Sequence, residues 1–339
     1  MSGKKPLVSV IVLNWNGKHF LSKCLSSLLD QNYSTYEVLL VDNGSTDGSV
    51  EFVKNKFGEN IALRIIALKE NYGFSKGNNL GIKYAQGDYV IILNNDTEVR
   101  KNFITELVNI VEGDDRVGSV GCKILTQKGK TWFSQKFTNE GFIVPFFLQT
   151  LVDRRIEMIS NCFCINLANS GCAVLYRRNV LDEVGFYDED FWSNWEDWDL
   201  GYRINLAGFK SMYVPEPLVY HVGGGSERFP PERYARIYRN MLFTYFKNYE
   251  TRNLFIRFPI LLFILIPLQH IGWILHRLLT HPSEFNREQE LQYFFSIEKA
   301  VFEFLLKLRP FIKKRYFIQQ LRKVSDREVF SSTRLKGII

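Results

Sequence analysis

Short apolar runs rich in β-branched residues alternate with helix-spaced segments over residues 8–122, and this alternation constrains the fold more than any other feature. The runs that predict buried strands are 8–13, 37–41, 63–68, 89–93 and 118–122. The segments that predict helices are 21–29, 49–57, 75–85 and 102–111. Such alternation forms a mostly parallel sheet with right-handed crossovers and helices on its faces. The predicted fold class is therefore α/β.

The alternation weakens after the fifth predicted strand, and residues 125–169 carry no regular pattern. The elements predicted beyond them are a strand at 170–176, helices at 178–184 and 196–206, and a short strand at 212–214. The chain has 339 residues, of which 46% are hydrophobic and 23% are charged. This length and composition suit a large core, and they exclude one small domain or wholesale disorder.

The cysteines argue against a zinc site. There are five, an odd number, and Cys162 and Cys164 form a C-x-C pair with no histidine-rich segment nearby. The opening MSGKKPLVSVIVLNW has no signal-peptide core and leads straight into the first predicted strand. We therefore expect free thiols in a reducing, cytosolic location.

The last third of the chain indicates contact with a membrane. Residues 255–279 are strongly apolar but are interrupted by two prolines and two histidines. A spanning helix needs about 20 predominantly apolar residues, so this segment reaches the length but is weakened by those interruptions. A membrane-surface or re-entrant hairpin is favoured, and a true span or a buried core helix stays open.

Basic residues near this segment support the same interpretation. Residues 294–317 interleave Phe and Leu with Lys and Arg, which is typical of an interfacial amphipathic helix or of an ordinary helix packed on the protein. The net charge is +7, and basic clusters such as Lys313 to Arg315 lie in this region. Such clusters suit an anionic membrane surface, although a solvated charged face is an alternative for any one of them.

Polar side chains follow two of the predicted strands, at the edge where α/β sheets bind ligands. Asp42 ends the second strand within VDNGSTDGS and can accept a hydrogen bond from a nucleobase imide. Asn94, Asn95 and Asp96 follow the fourth strand within LNNDTEV. The Asp96 carboxylate suits a hard divalent cation, and a helix N-cap at Asp96 or Thr97 is the structural alternative.

Two further motifs offer groups for acid–base and metal chemistry. Glu196 and Asp197 open a predicted helix within NWEDWDL, where a carboxylate can remove a proton from a hydroxyl. Taken alone, that motif is better explained by a capping cluster with core tryptophans. His221 precedes a glycine-rich stretch, YHVGGGS, and can act as a metal ligand or as a structural histidine.

Taken in order, these motifs resemble the family 2 inverting glycosyltransferases of the GT-A fold, particularly the rhamnosyltransferase-like branch. The matching segments are SVIVLNWNG, VDNGSTDGS, NYGFSKGNNLGI, ILNNDTEV, SGCAVLYRRNVLDEVGFYDEDF, EDWDL and the His221 loop, over residues 8–226. Several motifs in one order are far more specific than any of them alone.

The resemblance implies a nucleoside-diphosphate sugar donor, such as dTDP-rhamnose or a UDP-hexose, and a Mn²⁺ or Mg²⁺ cofactor. Asp197 would be the catalytic base, and Asp96 and His221 would bind the metal. The residues it assigns to the sugar nucleotide are Asn14, Asp42, Asn43, Asn71, Gly73, Asn78, Asn94, Asn95 and Glu196. Asp42 would read the nucleotide base.

The sequence departs from the family pattern at two places and lacks one motif. Asn94 stands where the family signature begins with Asp, which leaves one carboxylate there. Trp195 stands where many relatives have Gly, and it would narrow the acceptor pocket. The Q-x-x-R-W motif of the processive synthases is missing, so we expect transfer of one sugar per encounter.

The resemblance also implies an organisation and a set of partners. A GT-A catalytic domain would cover residues 1–250, with a nucleotide-binding half at about 1–123 and an acceptor-binding half at about 124–250. The apolar and basic composition of residues 251–339, which lie beyond the resemblance, predicts a helical, membrane-associated region. The expected acceptor is a glycan or lipid-linked glycan, with no nucleic acid partner. The expected location is the cytoplasmic side of the cell membrane, peripheral or anchored through 255–279.

Three other functions are alternatives to this one. A Rossmann oxidoreductase would carry G-x-G-x-x-G after its first strand, and this chain does not. An inactive sugar-nucleotide-binding membrane scaffold would be expected to lack the base, yet Glu196 and Asp197 are present. A lipid-linked sugar donor stays open, because a fold does not determine a substrate.

Overall fold

The computed structural model describes residues 5–126, 129, 164–222, 230–268, 271 and 287–332. Its strands are β1 Val8–Asn14, β2 Tyr36–Asp42, β3 Leu63–Ala67, β4 Tyr89–Asn94, β5 Thr97–Val99, β6 Val117–Thr126, β7 Cys164–Asn166, β8 Ala173–Arg177 and β9 Lys210–His221. They form one sheet in the order β3-β2-β1-β4-β8-β6-β9-β5, and β7 pairs with β9.

The first four strands in that order are parallel, as the sequence predicts. Their crossovers are the helices α1 Lys18–Leu29, α2 Ser49–Phe57 and α3 Gly73–Tyr84. Beyond β4 the sheet becomes mixed, because β8 runs antiparallel to both β4 and β6. The α/β fold is confirmed, with its parallel part confined mainly to the N-terminal half.

Several predicted boundaries were wrong. The strand predicted at 170–176 begins at Ala173, because the Ala173 amide donates to the Ser170 carbonyl in a turn. The strand predicted at 212–214 is longer than expected. It is the twelve-residue β9, which pairs with β5 and β6. Register shifts between β6 and β9 accommodate Pro215 and Pro217, which cannot donate to a regular ladder.

A second hydrophobic core joins the C-terminal helices to the sheet domain. It is built by α6 Glu196–Leu206, α7 Pro231–Asn248, α8 Thr251–Ile260, α9 Arg287–Leu306, α10 Leu308–Leu321 and α11 Asp326–Ser332. Phe243 and Phe311 stack at its centre with ring centroids 3.5 Å apart. The two remaining helices, α4 Phe103–Glu112 and α5 Arg178–Val184, pack on the sheet cores.

One stretch of the described chain, Thr251–Leu268, is long and apolar enough to cross a membrane by length and composition alone. It comprises α8 and a π-helical continuation, and only 18% of it is buried. Phe255 and Phe263 are 75% and 73% exposed, which does not fit a buried core helix. The rest of the predicted segment 255–279, apart from Ile271, lies outside the described residues.

A buried ionic network ties α6 to α7 and α10. The Lys247 ammonium lies 2.5 Å from the Asp188 carboxylate and 3.0 Å from that of Asp199. Arg203 donates to the other Asp199 oxygen over 3.1 Å, and Lys314 contacts Asp188. Burial raises the pKa of Asp188, but the two ammonium groups more than offset this and hold it well below its ordinary value.

Replacing Lys247 by Met should destabilise the fold, because the buried Asp188 and Asp199 carboxylates would each lose one of their two cationic partners. Breaking a buried pair by removing one partner costs about 3–5 kcal/mol. The free energy of unfolding in urea measures this loss. Lys101→Met is the control, because its 3.0 Å pair with Asp30 is largely exposed and is worth less than about 1 kcal/mol. Equal losses in the two variants would contradict the assigned role of the network.

Candidate active site

The ends of β1, β2 and β4 bring three predicted site residues into one hydrogen-bonded cluster. The parallel register pairs Asn14 with Asp42 and Leu13 with Asn94. The Asn14 side-chain amide donates to Asp42 Oδ1 over 3.0 Å, and the Asn95 amide donates to Asn14 Oδ1 over 2.7 Å. The structure therefore brings these strand-end groups into contact.

The cluster holds the Asp42 carboxylate rigidly. Asp42 is 2% exposed, and its Oδ2 accepts the Ser45 amide over 3.0 Å. Gly17 was not predicted, yet it leaves room for the cluster. A Cβ at this glycine would lie 2.1 Å from Asn95 Nδ2 and 2.6 Å from Asn14 Oδ1. Gly17 ends the SVIVLNWNG motif, but its close approach to Asn95 joins residues far apart in sequence, so the sequence alone does not show it.

A second cluster flanks the first, where β2 leads into its loop. Asn43 donates to Asn71 Oδ1 over 2.9 Å and accepts the Tyr72 amide over 3.0 Å. Gly73 has a φ of +78°, and a Cβ there would lie 2.6 Å from the Trp192 ring. On α3, the Asn78 side-chain oxygen is buried and has no hydrogen-bond partner among the described residues.

Asp96 and His221 face each other across β5 and β9. Asp96 Oδ1 lies 3.2 Å from His221 Nε2, and the antiparallel register pairs Thr97 with His221. The helix N-cap alternative for Asp96 and Thr97 is wrong, because Thr97 begins a strand. His221 ends a strand rather than lying in a loop, and the glycine-rich segment 223–225 lies outside the described residues.

The Asp96–His221 pair fits a divalent cation that a ligand helps to coordinate. Asp96 Oδ1 is buried without a hydrogen bond of acceptable geometry within the described chain, despite its closeness to the imidazole. A carboxylate and an imidazole are both ligands of Mn²⁺. The described residues contain no group of three or more His, Cys, Asp or Glu able to hold a metal. Substrate oxygens or water would have to complete such a site.

Glu196 and Asp197 begin α6 on the opposite side of this edge. The Gly171 amide donates to Asp197 Oδ2 over 3.0 Å, and the Trp198 amide donates to Oδ1 over 2.9 Å. The next residue, Cys172, accepts the Asn94 amide over 2.9 Å. The segment 171–172 therefore joins the Asp197 carboxylate to the end of β4, beside Asn95 and Asp96.

Burial perturbs both carboxyl groups. Burial, and then the charge of Asp197, raise the pKa of Glu196 to about 8, against the opposing charges of Arg233 and Arg236. Glu196 is 6% exposed, and its Oε2 has no hydrogen bond within the described chain. Burial also raises the pKa of Asp197, although the Gly171 and Trp198 amides oppose the rise.

The tryptophans around these carboxylates divide between two environments. Trp195 and Trp198 stack on each other at 5.3 Å between ring centroids and pack against the helical core. Trp192 is 43% exposed, and its carbonyl accepts the Ser75 amide over 3.0 Å. Trp195 and Trp198 are therefore core tryptophans, as the structural alternative for this motif expects. The Trp192 ring is instead partly exposed to solvent beside Gly73.

Replacing Glu196 by Gln should stabilise the protein more at alkaline than at acidic pH. An unfolded Glu ionises near pH 4.5, whereas folded Glu196 keeps its proton up to about pH 8. The wild type therefore loses stability as pH rises through this window, and Gln avoids the loss. Thermal unfolding should show a gain in Tm of a few degrees at about pH 8.5 and little gain at about pH 5. A pH-independent difference would contradict the assigned protonation.

Comparison with known proteins identifies related sequences. The profile described as Glycosyl transferase family 2 matches residues 9–185. Glycosyltransferase GlyG of Streptococcus pneumoniae is 33% identical over 225 residues, which cover 65% of this chain and 72% of GlyG. The poly-beta-1,6-N-acetyl-D-glucosamine synthase of Staphylococcus aureus is 25% identical over 210 residues. That match covers 61% of this chain and 48% of the synthase, so the chain spans about half of that relative.

Solved structures with the same fold cover nearly the whole chain. The mannosyltransferase PcManGT of Pyrobaculum calidifontis, in complex with GDP-Man and Mn²⁺, has a TM-score of 0.56 and 16% identity, covering 94% of this chain and 85% of that one. TarS 1–349 of S. aureus with UDP-GlcNAc has a TM-score of 0.57 and 19% identity, covering 96% and 90%. These likenesses establish the GT-A fold.

Proposed function

This chain belongs to glycosyl transferase family 2, and on that premise we propose that it moves one sugar at a time from a nucleoside-diphosphate sugar to a hydroxyl of a glycan or lipid-linked glycan, with inversion at the anomeric carbon. The observation that carries the proposal is the convergence of two elements at one sheet edge. The Asn14–Asp42–Asn95 cluster and the Asp197 carboxylate meet there through Gly171 and Cys172.

The strand-end clusters form the donor side. Asp42 accepts only one hydrogen bond at each oxygen from the described residues, so lone pairs are left for a nucleobase N–H. Asn43, Asn71 and Gly73 shape the adjoining loop, and the unpartnered Asn78 oxygen can accept a donor hydroxyl. The structural neighbours were solved with uridine and guanosine sugar nucleotides. We retain dTDP-rhamnose and UDP-hexoses as the first donors to test, and the rhamnosyltransferase-like branch stays a prediction.

Asp96 and His221 are the residues that would hold Mn²⁺ or Mg²⁺. When bound, the cation would neutralise the diphosphate leaving group. The imidazole must be neutral to act as a ligand, and Asp96 Oδ1 has no competing hydrogen bond within the described chain. Asn95 donates to Asn14 rather than to Asp96. It therefore stabilises the neighbouring nucleobase-binding cluster and does not orient the metal ligand.

In this proposal Asp197 is the general base. Two backbone amides fix its carboxylate, so the plane of the carboxylate is set before the acceptor arrives. Burial makes this carboxylate a stronger base than an exposed aspartate. A neutral Glu196 beside it reduces the repulsion between two adjacent carboxyl groups. In a single displacement, Asp197 takes the acceptor proton while the oxygen attacks the face opposite the diphosphate.

The experiment that tests the function follows release of free nucleoside diphosphate from a panel of sugar nucleotides with Mn²⁺. We expect release from one donor, loss of release with EDTA, and at least a 100-fold lower rate in Asp197→Asn, because general-base catalysis contributes roughly 10²–10⁴-fold. Thermal shifts should show that the variant still binds the nucleoside diphosphate. Asp182→Asn, an exposed change on α5, should turn over like the wild type.

Two outcomes would contradict the proposal at different points. Near-normal turnover by Asp197→Asn would make the base assignment wrong while leaving the enzyme class intact. No release from any donor, together with no metal-dependent thermal shift by UDP, dTDP or GDP, would favour an inactive scaffold.

We also propose that the C-terminal helices dock on a membrane surface. Phe255 and Phe263 on the α8 stretch, and Phe302 and Leu306 on α9, are more than half exposed. Basic residues follow α9 and line α10, which suits an anionic bilayer.

Vesicle flotation tests this docking. The chain should float with vesicles of anionic phosphatidylglycerol in phosphatidylcholine, and Phe255→Ser combined with Phe263→Ser should reduce flotation. Ile61→Ser removes a fully exposed apolar side chain from the sheet domain and is the matched control. Equal flotation of the double variant and the control would contradict docking through this face.

A further inference from the structure

We propose that Asn240 on α7 is a positioning residue for catalysis, which holds the strained turn Trp192–Trp195 and thereby aims the Glu196–Asp197 pair. The inference rests on the proposed role of Asp197 as base. It concerns a residue that lies 43 positions further along the chain than that aspartate. No motif in the sequence singles it out.

The turn before α6 has an unfavourable backbone for its sequence. Trp192, Asn194 and Trp195 have φ values of 62°, 70° and 75°, and none of them is glycine. Trp192 has a ψ of −62°, and the Ser193 amide donates to the Phe191 carbonyl over 2.7 Å. This is a γ-turn of the rare form with positive φ, which is strained. Such a conformation persists only where the surroundings over-determine it.

Asn240 supplies that restraint from outside the turn. Its side chain is fully buried, and its amide nitrogen donates to the carbonyls of Phe191, Ser193 and Asn194 over 3.0, 3.1 and 2.7 Å. The two hydrogens of this side-chain amide are therefore shared among three backbone carbonyls of the strained segment. Without it, the Ser193 and Asn194 carbonyls would lose this donor, and the turn could relax.

The orientation of this amide is itself determined by neighbours. Arg239 donates to Asn240 Oδ1 from Nε over 3.1 Å and from the guanidinium terminus over 2.9 Å. These hydrogen bonds orient the amide oxygen of Asn240 toward the guanidinium and its amide nitrogen toward the turn. Arg239 is in turn paired with Glu303 on α9 at 3.1 Å. A chain of contacts thus runs from the C-terminal helices to the turn.

The turn leads directly into the catalytic pair. Trp195 is the N-cap of α6, and its carbonyl accepts the Asp199 amide over 3.1 Å, so the first helical turn starts from it. The other end is held at Trp192, whose carbonyl accepts Ser75 and whose ring packs on Gly73. A shift of the turn at its Trp195 end would move Asp197 away from the Gly171 amide, while Trp192 stays held at the donor loop.

The test compares Asn240→Ala and Asn240→Asp with Asn248→Ala. Asn248 is a matched control, because it is equally buried on the same helix and donates to Asp199 over 3.0 Å without contacting the turn. Asn240→Asp keeps the shape of the side chain but replaces the donor by an acceptor. We expect both Asn240 variants to lose kcat by about 100-fold, the effect of roughly 1 Å misplacement. The affinity for UDP or dTDP with Mn²⁺ should be unchanged.

Hydrogen–deuterium exchange provides a readout that does not require turnover. In the Asn240 variants, exchange should rise in peptides covering 191–198 and the Gly171 amide, and in Asn248→Ala it should not. Should Asn240→Asp fail to fold, Glu303→Gln removes the charge that anchors Arg239 and should raise exchange at 191–198 by itself. Turnover and exchange equal to those of Asn248→Ala at matched Tm would overturn the proposal. An active Asp197→Asn variant would instead contradict the assignment of Asp197 as the base. The exchange result would still test whether Asn240 holds the turn.

Discussion

The site depends on the parallel register of β1 between β2 and β4. With Asn14 opposite Asp42 and Leu13 opposite Asn94, the polar end of each strand lies at the same height on the sheet. A slip of one residue would turn every side chain of a strand to the other face. The β-branched cores of these strands prevent such a slip, because Val8, Val10 and Val12 are buried on one face and Ile11 on the other. The same residues therefore stabilise the sheet and align the donor cluster.

The opposite wall of the site is a helix whose three acidic residues meet different surroundings. Asp199 is buried with Lys247 and Arg203, so its charge is compensated. Asp197 keeps two backbone amide donors, and Glu196 has no counter-ion in contact among the described residues and favours its neutral form. Three carboxyl groups in the first turn of one helix therefore behave differently. Asp199 anchors an ion pair, Asp197 is a fixed carboxylate and Glu196 is a protonated acid.

The predictable part of the site consists of groups whose neighbours follow from strand order. Asp42, Asn94, Asn95 and Asp96 end strands, so the α/β pattern alone places them at one edge. The pairing of Asp96 with His221 was expected from the family resemblance, and the structure brings them to 3.2 Å. No role was predicted for Gly17, Gly171 or Asn240, because each acts through at least one contact with a residue far away in sequence. A lone glycine or asparagine carries no local signal of such a contact.

By itself the sequence determined the alternation of elements, the strand-end chemistry and the family, because periodicity and ordered motifs are local properties. Only the tertiary structure decided the antiparallel insertion of β8, the full length of β9 and the protonation preference of Glu196. It also decided that the strained turn before Asp197 is held from a distant helix. Register, burial and charge compensation depend on which distant residues come into contact, and that is settled only when the chain is folded.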